Sequence, residues 1–254
     1  MAASSPAAIA AGDEALPTFR IASAPARWHT ARMNFKWLPN ALTIARCVFA
    51  LLCLGGIVQA LRVQDLIDLG TTQDITATDQ ENRIAVQQLW YQFALLSFLS
   101  GALTDFLDGW LARKLQAQSR FGVWLDPIAD KFLVGFALLG LSLIFHTWLI
   151  YIPAAAIIAR DAFMTWLRTT PAGKSVVDPS NLAKWKTAFE MAAIIGLMLP
   201  LAAIPQNAVT QGATTGNLAE LTAVALVGLL WIAAFLSLWT GWRYMVAAVG
   251  SRKR

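Results

Sequence analysis

A chain of 254 residues that is 57% hydrophobic and only 14% charged has more apolar surface than a soluble globule of that size can bury. Two cysteines exclude a disulfide scaffold, and the apolar content excludes a disordered chain. The net charge of +5 comes from basic residues that flank apolar spans, which points to anionic lipid rather than nucleic acid and leaves an all-α, polytopic membrane protein.

Residues 1–36 are rich in Ala, Ser and Pro and hold no continuous apolar run, which predicts a cytoplasmic tail, disordered or lying on the membrane. Arg27, Trp28, Arg32, Phe35, Lys36 and Trp37 suit the headgroup region, with cations toward phosphate and rings at the interface. Six transmembrane helices are predicted over residues 37–250, near 40–60, 90–112, 124–146, 148–168, 186–204 and 218–243. Each is long enough for a hydrocarbon core of ~30 Å. Pro39-Asn40 opens the first span, and Cys47 with Cys53 sits inside it, six residues apart and too badly oriented to pair. The loop 61–89 holds Asp65, Asp68, Asp74, Asp79 and Glu81 and is predicted to be acidic, external and partly helical. His146-Thr147 is so short a joint that spans three and four must form an antiparallel hairpin. Pro200 and Pro205 break the fifth span, and Glu190 and Glu220, near span ends, read as interfacial charges. Of the 20 Lys and Arg, only Arg62 and Arg83 fall in loops away from the N-terminal face, so both termini are expected in the cytoplasm. His29 and His146 then lie on opposite sides, which excludes a shared histidine metal site.

Four aspartates cluster where the second span ends and the third begins. A carboxylate at membrane depth costs at least ~2.5 kcal/mol and is by default a functional-site candidate. Asp105 and Asp108 are three apart and Asp126 and Asp130 four apart, so each pair shares a helix face. Side by side, the two helices would converge four carboxylates, a donor set for Mg²⁺, Mn²⁺ or Ca²⁺ rather than zinc. Pairing with Arg113, Lys114, Arg120 or Lys131 accounts for any one aspartate, but poorly for four at helical spacing beside small residues. Gly109, Ala112 and Gly122 let a ligand approach the backbone closely.

The run from Asp105 to Asp130 reads D-x2-D-G-x2-A-R-x8-G-x3-D-x3-D and resembles, at every fixed position, the signature of the CDP-alcohol phosphatidyltransferases. The resemblance implies two divalent cations, Mg²⁺ or Mn²⁺, with Asp105, Asp108 and Asp126 as principal ligands and Asp130 as both ligand and catalytic base. It also implies room for the CDP-lipid at Gly109 and Ala112, a phosphate contact or loop brace at Arg113, and a homodimer in a bacterial inner membrane with the site facing the cytoplasm. Asn40, Thr43 and Arg46 resemble the family's P-N-x-L-T-x-x-R opening, which places them with Gly122 near the nucleotide. A helix cap plus an interfacial arginine is the plainer reading of that opening.

Arg160, Arg168, Lys174, Lys184 and Lys186 form a cationic wall around the loop between spans four and five, suited to a phosphorylated acceptor. Leu38–Arg46, Leu125–Lys131 and Ala183–Thr187 most resemble the phosphatidylglycerophosphate synthase branch, whose donor is CDP-diacylglycerol and whose acceptor is glycerol 3-phosphate. Arg160-Asp161 departs from that branch's Arg-Glu and leans toward the cardiolipin synthases, which use phosphatidylglycerol. A transporter with an aspartate ion site is the non-enzymatic alternative. It fits less well, because the carboxylates sit at a helix end rather than at the bilayer midplane.

Overall fold

In this computed structural model the backbone is described for residues 38–70, 76–115, 120–169, 181–204 and 217–251, and side chains over somewhat shorter stretches. The described residues are helical apart from short joints: α1 Leu38–Gly70, α2 Ala77–Leu115, α3 Arg120–Phe145, α4 Trp148–Thr169, α5 Asn181–Ala203 and α6 Asn217–Ser251. The tail expected over 1–36, with its aromatic and basic cluster, lies outside the described residues.

Five helices, all but α2, are long and apolar enough to cross a membrane among the described residues: Ala41–Gly70, Ile128–Phe145, Trp148–Leu167, Trp185–Ala203 and Glu220–Val246. In α2 the apolar run is diluted by Gln92, Ser97, Ser100, Thr104 and Asp105. Those groups are tolerated because α2 packs along α1 and against α5, and its hydroxyls bond to its own backbone. Ser97 Oγ donates to the Phe93 carbonyl at 2.8 Å and Thr104 Oγ1 to that of Gly101 at 2.7 Å. The outer faces carry exposed Leu51, Leu96, Leu103, Phe235 and Leu238, a surface suited to lipid and not to water. On α4, Trp148 and Trp166 are both exposed and lie about 27 Å apart along the axis, close to the hydrocarbon thickness. The protein is an integral membrane protein.

α1 lies between α2 and α3, α3 pairs with α4, α6 packs on α4 and α5, and α5 returns to α2. Ala50, Cys53, Ile57 and Ala60 recur at three- and four-residue steps on α1 and make its fully buried stripe. Without a hydrophobic force between helices in lipid, such small residues allow close van der Waals packing. At Gly56 the neighbour is backbone: a Cβ there would meet the Ala94 backbone nitrogen of α2 at 3.2 Å and the Ala94 Cβ at 3.1 Å. Both cysteines are free thiols, Cys53 buried in that stripe.

The loop expected over 61–89 is mostly helix. α1 and α2 run about 50 and 58 Å, well past a ~30 Å core. Gln87 Nε2 donates to Gln64 Oε1 at 2.7 Å, and Arg83 donates to the Leu66 carbonyl, tying the two extensions together. Thr76 caps α2: its hydroxyl bonds Asp79 Oδ2 at 2.7 Å while the Asp79 N–H turns back on Thr76. Gln88 and Gln92 donate to the Ala202 and Ala203 carbonyls, which at the end of α5 lack the intrahelical N–H donors that carbonyls earlier in the helix have. Between α3 and α4 the chain reverses at His146, whose φ of 45° places it in the left-handed region that closes a helix.

Candidate active site

Helix direction brings the start of α1, the end of α2, the start of α3, the end of α4, the start of α5 and the end of α6 to one end of the bundle. Asp105 and Asp108 lie in the last three turns of α2, and Asp126 and Asp130 in the first three of α3, with only residues 116–119 between the helices. Among the described residues α2 and α3 touch only lightly, because α1 wedges between them over most of their length. The wedge has a consequence for the site, because α1 delivers a cation into it.

That cation is Arg46, which is 1% exposed and places Nη1 3.0 Å from Asp105 Oδ1. A guanidinium so buried needs an anion nearby, so the helix opening and the first aspartate fold as one unit. Thr43, one turn earlier on α1, is also fully buried. Arg46 is therefore not a snorkelling interfacial arginine. Asp105 keeps 49% of its side-chain surface open and Asp130 keeps 27%, so both carboxylates can be reached.

Asn40, Asp108, Gly109, Ala112, Arg113, Gly122, Asp126, Arg168 and Lys184 lie on helices whose backbone is described, while their side chains fall outside the described residues. Lys174 falls outside altogether. Among the described residues no three His, Cys, Asp or Glu side chains group as a metal cluster, and only two of the four aspartates belong to that set. What is visible suits a hard divalent cation: two accessible carboxylates, oxygen donors only, at neighbouring helix ends.

Beside the aspartates lies a second cluster that spacing did not reveal. Asp161, on α4 and buried, receives Arg160 Nη1 at 2.7 Å and Lys186 Nζ at 2.8 Å on Oδ1, and Lys131 Nζ at 2.9 Å on Oδ2. Lys186 also lies 3.0 Å from Glu190 Oε1, and Arg160 Nη2 donates to Thr240 Oγ1 at 3.0 Å. One carboxylate thus links α3, α4 and α5, and through Arg160 it reaches α6. Glu190 is 2% exposed, so it is a buried partner of Lys186 and not the interfacial charge expected. The reason is that α5 starts at Asn181, which sets Glu190 about two and a half turns inside the helix. Asp161 carried the same signal as the four aspartates, an acid inside an apolar span, but it lacked a second acid at helical spacing. Lys131 and Asp161 also line one end of an otherwise apolar cavity of about 580 Å³ between α3 and α4, walled by Phe132, Phe136, Ile157 and Trp166.

The sequence model of the CDP-alcohol phosphatidyltransferase family matches residues 36–249, which takes in all six helices up to the last turn of α6. A protein of Cereibacter sphaeroides named CDP-diacylglycerol–glycerol-3-phosphate 3-phosphatidyltransferase is 36% identical over 182 residues, 62% of this chain and 81% of the relative. Proteins of the same name from Yersinia enterocolitica and Haemophilus influenzae are each 37% identical, over 59% and 62% of this chain and 75% and 77% of their own lengths. A match over nearly the whole helical bundle, with the aspartates at the junction of α2 and α3, establishes that the chain belongs to the CDP-alcohol phosphatidyltransferase family.

Proposed function

We propose that this phosphatidyltransferase moves the phosphatidyl group of CDP-diacylglycerol to glycerol 3-phosphate and releases CMP. The observation that carries the reading is the aspartate-bearing α2–α3 junction, set at the same bundle end as the buried Arg46–Asp105 pair and the cations of α4 and α5. The acceptor is taken from the relatives, which share one name. The family is generally dependent on divalent metal. In this reading Asp105, Asp108 and Asp126 are principal ligands of two cations, Mg²⁺ or Mn²⁺, and Asp130 adds a fourth carboxylate. Bound there, the cations would neutralise the pyrophosphate and stabilise CMP as it leaves.

The chain's own residues do the rest. Arg46 fixes the Asp105 carboxylate from beneath, so that ligand does not have to be ordered when substrate arrives. Gly109 and Ala112 leave space for the nucleotide, with Asn40, Thr43, Arg113 and Gly122 around it. Asp130 accepts the proton of the acceptor hydroxyl as its oxygen bonds to the phosphatidyl phosphorus and the bond to CMP breaks. Arg160, Arg168, Lys184 and Lys186 supply the cationic field for the acceptor phosphate. Arg160 and Lys186 are set in place for that field by Asp161. The working unit is read as a homodimer in a bacterial inner membrane, with termini and active site on the cytoplasmic side.

The acceptor is tested by giving the purified protein CDP-diacylglycerol with equal concentrations of labelled glycerol 3-phosphate and phosphatidylglycerol. Phosphatidylglycerophosphate is the expected product, and cardiolipin as the sole product would overturn the acceptor while leaving the family intact. Arg168→Ala should raise the KM for glycerol 3-phosphate roughly tenfold or more, as one charge-assisted contact of about 1.5–3 kcal/mol is lost. The KM for CDP-diacylglycerol should change little.

A further inference from the structure

We propose that Lys131 and Asp161 form a positioning pair that holds the Asp130 carboxylate in the orientation it needs to take the acceptor's proton. The inference rests on the reading of Asp130 as the base.

Asp130 and Lys131 are successive residues on α3, so their side chains leave the helix about 100° apart. Contact between them is not a product of helical spacing, as an i,i+4 pair would be. Yet Lys131 Nζ lies 3.2 Å from Asp130 Oδ2 while it also lies 2.9 Å from Asp161 Oδ2. The ammonium is stretched between an acid on its own helix and an acid on α4. Of the two, Asp161 is the fixed end. It is buried, and its other oxygen is occupied by Arg160 at 2.7 Å and Lys186 at 2.8 Å. Arg160 is in turn held by Thr240 of α6, and Lys186 by Glu190 of α5. Asp130, 27% exposed, is the free-standing end and would otherwise turn about its side-chain torsions. The contacts therefore run from α4, α5 and α6 through Asp161 and Lys131 to one oxygen of Asp130.

Positional control of this kind matters for a base. Proton transfer needs the accepting oxygen within hydrogen-bond reach and a lone pair aimed at the hydroxyl, and an error of about 1 Å can cost about a hundredfold. A hydrogen-bonded partner behind a working group typically contributes roughly 10–100-fold. A purely structural role for the cluster makes a different prediction, since a tie between helices contributes to stability and leaves the turnover of each folded molecule alone.

The test uses the full-length protein in detergent or lipid. Lys131→Met keeps the aliphatic stem and leaves Asp161 with Arg160 and Lys186, so the fold has no unpaired buried acid to absorb; Lys131→Gln provides the same comparison should the Met variant not fold. The expected result is a kcat roughly 10–100-fold lower with both KM values within about twofold of wild type. Adding Asp161→Asn to Lys131→Met should lower kcat no further, because Asp161 reaches Asp130 only through Lys131; since Asp161 also holds Arg160 and Lys186, any further change should fall on the KM for glycerol 3-phosphate. Mn²⁺ affinity, read from the electron paramagnetic resonance signal of free ion, should change far less than kcat, because Asp105, Asp108 and Asp126 are untouched. Wild-type kcat in both Lys131 variants, additive losses in kcat, or a loss of Mn²⁺ affinity as large as the loss of kcat would each overturn the proposal. Asp130→Asn is the control that separates the two readings. If it is inactive while Lys131→Met turns over normally, positioning alone fails; if it is fully active, the assignment of the base fails.

Discussion

Asp105 and Asp130 make different demands on the fold, although the motif treats them alike. Asp105 answers the buried guanidinium of Arg46, whereas Asp130 sits at the edge of the cluster with a quarter of its surface open. Replacing Asp105, Asp108, Asp126 or Asp130 by Asn should lower kcat by roughly 100-fold or more, because each loses an interaction made in the transition state. Stability should separate them. Asp105→Asn removes the carboxylate charge facing Arg46 Nη1 and should cost about 1–3 kcal/mol, while Asp130→Asn should cost well under that. Turnover and thermal unfolding in detergent measure the two effects on the same samples. The four aspartates stand out in the sequence because two helical periods coincide at one joint, and the structure describes the side chains of two of them, Asp105 and Asp130. Asp161 and Glu190 do not stand out, because their partners Lys131, Arg160 and Lys186 come from three helices and no spacing in one helix announces them.

At the scale of helices, apolar runs predicted all six, and the boundaries moved outward wherever polar sequence continued the helix beyond the membrane. α1 and α2 show this most, since the acidic stretch read as a loop is helix through Gly70 and again from Ala77. Thr76 and Asp79 had the spacing of a capping box all along, but an amphipathic signal was masked by the charges. The close approach of α1 and α2 was not legible, because a glycine in an apolar span looks the same whether it faces lipid or a neighbour. Gly56 tests it. A side chain there would press on the backbone of Ala94, which cannot rotate away, so Gly56→Val should destabilise by about 1–3 kcal/mol. Thermal unfolding unchanged in that variant would contradict this view of the α1–α2 contact.

For the molecule as a whole, an even number of helices puts the aspartates, Arg46, Lys131, Arg160 and Lys186 at one end and the α1–α2 extension with Arg62 and Arg83 at the other. The charge bias predicts that the aspartate end faces the cytoplasm, where a soluble phosphorylated acceptor is available. Tags at the termini and near residue 175 should be protected in intact cells, and a tag near residue 75 should be accessible from outside. Residues 75 and 175 found on the same side would contradict the arrangement. The central claim, that the aspartate end is a metal-dependent phosphatidyl transfer site, is tested most directly by CMP release from CDP-diacylglycerol in the presence of glycerol 3-phosphate. The account predicts release that stops in excess chelator, returns with Mg²⁺ or Mn²⁺, and is nearly absent in Asp126→Asn; undiminished CMP release in chelator, or from that variant, would contradict it.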